Sequence, residues 1–187
     1  MKKVNVTIEG TSPLLMNRYN VEAELARQKG KRINKTYDPV EEAEKAAYFS
    51  TKGKRELIIP AGILYAALLN ASSFHKIGRR SAKSILAGSL RFQDLNGGEE
   101  IGLGTDKYEI DTRPVVIQRS RVLKSRARLD KWKATFDITF NEDLIADAEI
   151  IKTVLKEAGL RIGICDFRPS KSGWYGCFAV TGWKAVK

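Results

Sequence analysis

Histidine is nearly absent from this chain: His75 is the only one in 187 residues. Cysteine is almost as scarce, with Cys165 and Cys177 alone. One histidine and two cysteines without close partners leave no basis for a zinc site or for a Ser-His-Asp or Cys-His triad. The acidic residues are scattered, so no paired-carboxylate cluster for two-metal chemistry stands out. No run approaches the ~20 apolar residues that a membrane span needs, and no membrane partner is expected. Met1-Lys2-Lys3 leads straight into the alternating Val4, Val6 and Ile8, not into the apolar core of an export signal. A cytoplasmic protein with reduced thiols is therefore expected, without metal or cofactor.

Positive charge is abundant. The chain carries 33 Lys and Arg against 22 Asp and Glu, a net charge of +11, and 43% of its residues are apolar. That apolar share is enough for a core, and the length suits a single domain over residues 1–187. A soluble domain this basic points to nucleic acid before any other partner.

The charge concentrates in Arg113–Phe140. Trp132, Ala134, Phe136, Ile138 and Phe140 alternate with Lys133, Thr135, Asp137 and Thr139, which is the period of a strand with one buried face. The preceding half carries Arg119, Arg121, Lys124, Arg126 and Arg128, with no acid until Asp130. A phase slip near Val122-Leu123 predicts a bulge or twist, and Leu129-Asp130-Lys131 predicts a hairpin joining the basic strand to Trp132–Phe140. Edge strands use lysines and arginines to deter aggregation. Five nearly unrelieved cations exceed that need and suit a polyanion.

The remaining elements follow in order. Lys3–Glu9 is a strand, followed by Gly10-Thr11-Ser12-Pro13, the apolar Leu14-Leu15-Met16, and Asn17-Arg18, which join the candidate contacts. Tyr19–Lys35 is polar and aperiodic, a long loop or marginal helix, within an insertion over residues 19–54. Asp38-Pro39-Val40-Glu41 opens a helix with Asp as cap. Pro60-Ala61-Gly62 opens another, with Ile63, Leu64, Ala67, Leu68, Ala71 and Phe74 at helical spacing. Gly78–Ser84 has Ala82 where a phosphate loop needs glycine and follows a helix, so an NTPase is rejected. Its Arg79, Arg80 and Lys83 remain candidate phosphate contacts beside the alternative of a solvated loop. Gly102-Leu103-Gly104 is too short for a dinucleotide fingerprint. After a short strand at Leu90–Phe92 and the turn Asn96-Gly97-Gly98 comes the basic hairpin. A helix is predicted over Glu142–Ala158, stopped by Gly159, and a last strand over Cys177–Lys184.

Between these last two lies Gly159–Gly176, where glycines, Arg168, Lys171, Trp174 and Tyr175 coincide. Glycines let a backbone approach a sugar-phosphate chain, and the aromatics can stack on bases or fill the core. The order of elements predicts an α+β, ferredoxin-like βαββαβ fold, the plan of RNA-recognition modules, with the insertion after strand 1 and the basic β-hairpin added.

Three stretches, Ser12-Pro13-Leu14-Leu15, Ile59–Leu68 and the glycine-rich Gly159–Gly176, resemble the RAMP superfamily, the RNA-binding subunits of CRISPR effector complexes. The long insertion and protruding basic hairpin fit the backbone subunits of those complexes. The chain is smaller than most of them, as a minimal or phage-encoded relative would be. The resemblance implies a non-catalytic protein that binds single-stranded RNA or DNA and assembles as a homo-oligomer side by side along the strand. Two alternatives stand beside it: a RAMP-type endoribonuclease using His75 or Asp38, neither of which matches the family's catalytic loops, and an architectural protein of double-stranded nucleic acid.

Overall fold

The computed structural model describes residues 1–21, 25, 28–29, 36–117 and 119–186. The loop or marginal helix predicted over Tyr19–Lys35 lies largely outside them. The described elements are β1 (Lys2–Gly10), β2 (Leu14–Leu15), α1 (Pro39–Ala46), β3 (Ile58–Pro60), α2 (Ala61–Ala71), β4 (Lys76–Ile77), β5 (Arg80–Ser81) and α3 (Ala82–Leu86). They continue with β6 (Leu90–Gln93), β7 (Glu100–Gly102), β8 (Glu109–Ile117), β9 (Ser120–Leu129), β10 (Lys133–Phe140), α4 (Glu149–Glu157) and β11 (Phe178–Val186). This is a mixed α+β chain with its strands in several antiparallel sheets.

The alternation seen in sequence builds the main sheet, in the order β11-β1-β10-β6. Val4, Val6 and Ile8 stand opposite Ile138, Phe136 and Ala134, and all six are buried on one face. Helices α2 and α4 cover that face with Leu64, Leu68, Ile151, Val154 and Leu155. Each large aliphatic buried there contributes about 1.5–3 kcal/mol. The other face is a polar ladder in which Asn5 donates to Asp137 (2.8 Å), Thr7 meets Thr135 (3.1 Å), and Lys3 pairs with Asp137 (2.6 Å). Its central strands offer no aromatic ring, so bases have no stacking platform there of the kind an RNA-recognition sheet carries.

The basic hairpin is real but differs from its prediction. The chain reverses between Ile117 and Ser120, and β8 pairs with β9 from Ile117↔Ser120 to Glu109↔Arg128. Arg119 takes the left-handed conformation there (φ 67°), a turn position that favours glycine. No glycine marks the turn, so the reversal reads in sequence as a phase slip in one long strand. Consecutive β9 and β10 belong to different sheets, β2-β9-β8 and the main one. Between them, buried Trp132 donates from Nε1 to the Ser12 carbonyl (2.9 Å) and packs edge-on against Phe178. A Cβ at Gly10 would run into its indole.

The last helix is also shorter than predicted. Residues 142–148 form turns, with Asn141 and Asp147 side chains accepting from Asp143 N and Glu149 N. Gly159 does not stop α4. It lies in a π-helical turn, Ala158–Ile162, against the Phe178 carbonyl, and the turn ends at Gly163 with φ 69°.

Candidate nucleic-acid interface

The stretch Thr11–Met16 is a hub. On one side Leu14 and Leu15 pair with Leu129 and Arg128 of β9. On the other they hold the glycine-rich segment: Asp166 N donates to Leu15 O and Gly176 N to Pro13 O (both 2.8 Å), and Cys177 N donates to Ser12 Oγ (2.9 Å). The segment is wound tightly, and Cys165, Phe167 and Ser172 all have positive φ (59°, 50° and 60°). Such conformations cost on the order of 1–3 kcal/mol each and cluster at binding sites. Gly176 (φ 68°) has no room for a side chain, because a Cβ would collide with the Ile164 carbonyl.

Between this segment and α2 lies a cavity of about 310 Å³. Its polar lining is Asn17, Tyr48, Asn70, Asp166 and Arg168, over apolar walls that include Ile63 and Ile164. The amides of exposed Asn17 and Asn70 have no partner among the described residues. Arg168 spends part of its guanidinium closing the turn, donating to the Cys165 carbonyl (2.5 Å) and to Ser170 Oγ (3.0 Å). Burial raises the Tyr48 phenol above its ordinary range, and neighbouring Cys165 and Asp166 add to that shift. Arg18, also exposed, is tied to α1 through its backbone N, which donates to Ala46 O (2.8 Å).

Burial pushes the Cys165 thiol from 9.0 up to about 12. A thiol that stays protonated and buried is a poor nucleophile. Under native conditions near pH 8, a thiol reagent is therefore expected to label Cys177 and leave Cys165 unmodified until the protein is denatured. Because the folded value is raised, the thiol's contribution to stability is fully present below pH 9 and is lost as pH rises through about 12. Equal labelling rates for the two cysteines would refute this assignment.

The five hairpin cations do not act as one set. Lys124 faces Glu42 of α1 (3.5 Å), and Arg128 donates from Nε to Asp130 (2.7 Å). Arg126 is buried, with Nη1 on Asp166 (2.6 Å). Apart from Asp130, the acids that relieve them, Glu42 and Asp166, are distant in sequence, so the unbroken basic run was misleading. Arg126 is thus a buried strut of the hairpin base and, contrary to the sequence expectation, presents no exposed guanidinium to a phosphate. Helix α1 braces the same base: Glu42 accepts from Ser125 N (2.7 Å), and Tyr37 shares a hydrogen bond with Ser125 Oγ (2.6 Å). Beyond that brace the ribbon is exposed. Arg119 and Arg121 stand there without an ion pair among the described residues, beside exposed Val116, Val122 and Leu123.

Of the two aromatics singled out, Trp174 is 62% exposed, whereas Tyr175 is buried. The Tyr175 ring lies near the guanidinium groups of Arg113 (5.3 Å) and Arg128 (5.7 Å), and its hydroxyl accepts from Arg113 Nη2 (2.6 Å). Tyr175 is thus a core support for Trp174 and has no free face to offer a base. Phe167 completes the cluster, with its ring 4.9 Å from Trp174. Arg113 and Phe167 were not singled out from sequence. The alternation Asp111-Thr112-Arg113 was the available signal for the first, since Asp111 pairs with Arg113 (2.7 Å) and, with Tyr175, raises its pKa.

Lys171 is exposed at the end of a short 3-10 turn. Arg79, Arg80 and Lys83 lie elsewhere, around the small β4–β5 hairpin and α3, exposed and outside the cavity lining. The Nε2 of His75 is buried without a partner among the described residues, and Asp38 Oδ1 caps α1 through Val40 N (2.8 Å) and Glu41 N (3.3 Å). Among the described residues no helix is long and apolar enough to cross a membrane. Neither models of known protein families nor curated proteins yield a match to this chain.

Proposed function

We propose that this protein binds single-stranded nucleic acid, RNA or DNA, on a ferredoxin-like core of the RAMP kind, and that copies assemble side by side along the strand. One observation carries the reading. Three sequence stretches far apart in the chain, Ser12–Arg18, the opening of α2 and the glycine-rich segment, meet at one polar-rimmed cavity. The strand order β11-β1-β10-β6, with the crossovers through α2 and α4, supports the ferredoxin-like core. The net charge of +11 supports the polyanion. The hairpin's distal half, apolar and basic at once, supports contact with strand and neighbour together.

In this reading the sugar-phosphate chain lies against the glycine-rich segment, with Asn17, Arg18, Arg168 and Lys171 along it and Trp174 stacked on a base. Titrating oligonucleotides of increasing length, with fluorescence and light scattering read together, is the test. Stoichiometry is expected to rise with length, and tryptophan emission to fall on binding. Trp174→Ala is expected to remove most of the quench and to weaken binding by about 1–3 kcal/mol, with little change in melting temperature because the ring is exposed. A sharp drop in melting temperature with affinity intact would make Trp174 a packing residue. Absence of binding to any single strand would overturn the reading as a whole.

A further inference from the structure

Phe74 keeps 53% of its surface exposed although it directly follows the apolar face of α2. The guanidinium of Arg161 lies 4.2 Å from its ring centroid, and Glu157 holds that guanidinium from the side (2.8 Å). Aromatic rings and arginine planes are the two surfaces on which unpaired bases stack. The place is adjacent to the cavity, since lining residues Asn70 and Ile162 lie one helical turn before Phe74 and directly after Arg161.

Beyond the Glu157 that holds Arg161, the charge that follows Phe74 along the chain is one-sided. Between Glu56 and Asp94 the sequence has no acidic residue, yet it contains Lys76, Arg79, Arg80, Lys83 and Arg91. All five are exposed, and none forms an ion pair with a described residue. A solvated surface serving only solubility mixes both signs. The β4–β5 turn, held by the Lys76↔Ser81 and Ile77↔Arg80 pairs, carries Lys76, Arg79 and Arg80 directly after Phe74, and Lys83 follows in α3.

We propose that Phe74 and Arg161 form a second base-stacking platform, and that Arg79, Arg80 and Lys83 hold the phosphates beside it. A strand leaving the cavity past Asn70 would thus be carried onto the β4–β5 turn. The proposal rests on the single-strand reading and extends the occupied length beyond the cavity.

The test uses oligothymidylates and oligouridylates of 4 and 12 nucleotides with the full chain. Phe74→Leu keeps an apolar partner for Arg161 but offers no ring. It is expected to lower 12-mer affinity about 5- to 150-fold and 4-mer affinity much less, whereas Phe74→Trp restores the 12-mer. Arg79→Glu with Arg80→Glu is expected to reduce the salt slope on the 12-mer by about 1.4, at about 0.7 per phosphate. If wild type binds while Phe74→Leu and the double reversal leave 12-mer affinity and salt slope unchanged, this platform is refuted and the cavity reading stands. Failure of Phe74→Trp to restore binding lost in Phe74→Leu also refutes stacking. If wild type binds neither oligonucleotide, both proposals fall.

Discussion

Reversing Arg119 and Arg121 together to Glu is expected to weaken single-strand binding by about 2 kcal/mol for the two lost attractions, and by up to about twice that once repulsion replaces them. That is roughly 30- to 1,000-fold in affinity. The slope of log affinity against log salt is expected to flatten by about 1.4, because each phosphate neutralised on a single strand contributes about 0.7. The fold has no reason to respond: both side chains are exposed, and neither pairs with a carboxylate among the described residues. Surface changes of this kind alter stability within about 0.5 kcal/mol. Affinity measured at four or more salt concentrations gives the slope directly. An unchanged slope in a folded variant would remove the distal hairpin from the interface.

Asp166→Ala is expected to produce the largest loss of stability, about 3–5 kcal/mol, because it strands Arg126 as a buried charge. The Arg126 side chain is 8% exposed, its Nη1 depends on Asp166, and its Nε already lacks a partner among the described residues. At about 2–4 °C per kcal/mol for a chain of this size, melting is expected some 6–20 °C lower. Replacing both partners, as Arg126→Met with Asp166→Ala, is expected to recover much of the loss, since an apolar pair carries no desolvation cost. A single variant that melts with the wild type would show that the pair is solvent-screened and supports nothing. Because Asp166 also lines the cavity, the same pair ties the hairpin base to the candidate binding site.

Local signals were readable in the sequence, and distant pairings were not. The alternation of β1 and β10 and the cap at Asp38 depend on neighbours within a few residues, and each stands where its pattern places it. The ends of α4 depended on tertiary contact: Phe178 presses on Gly159 and holds a π-helical turn where a lone helix would stop. The hairpin misled for the same reason. Glu42 and Asp166 neutralise its base from elsewhere in the chain, Asp111 does so from the paired strand β8, and Arg119 turns the chain without glycine. At the candidate site, the exposed Trp174 and the partly free Arg168 fit the composition of their segment. The burial of Tyr175 followed from Arg113, which no local pattern connects to it.

The pairing of β1 also has a consequence for synthesis. Its two neighbours, β10 and β11, both come from the last third of the chain. On the ribosome Val4, Val6 and Ile8 therefore emerge long before their partners, with one backbone edge open until β10 has been made and the other until residues beyond 178 have been made. Such late, non-local closure slows folding and leaves an unpaired apolar strand available to other chains. At about 5–20 residues per second, the interval is on the order of ten to forty seconds. Aggregation during expression is thus expected to begin at β1 and to respond to whatever shields nascent chains.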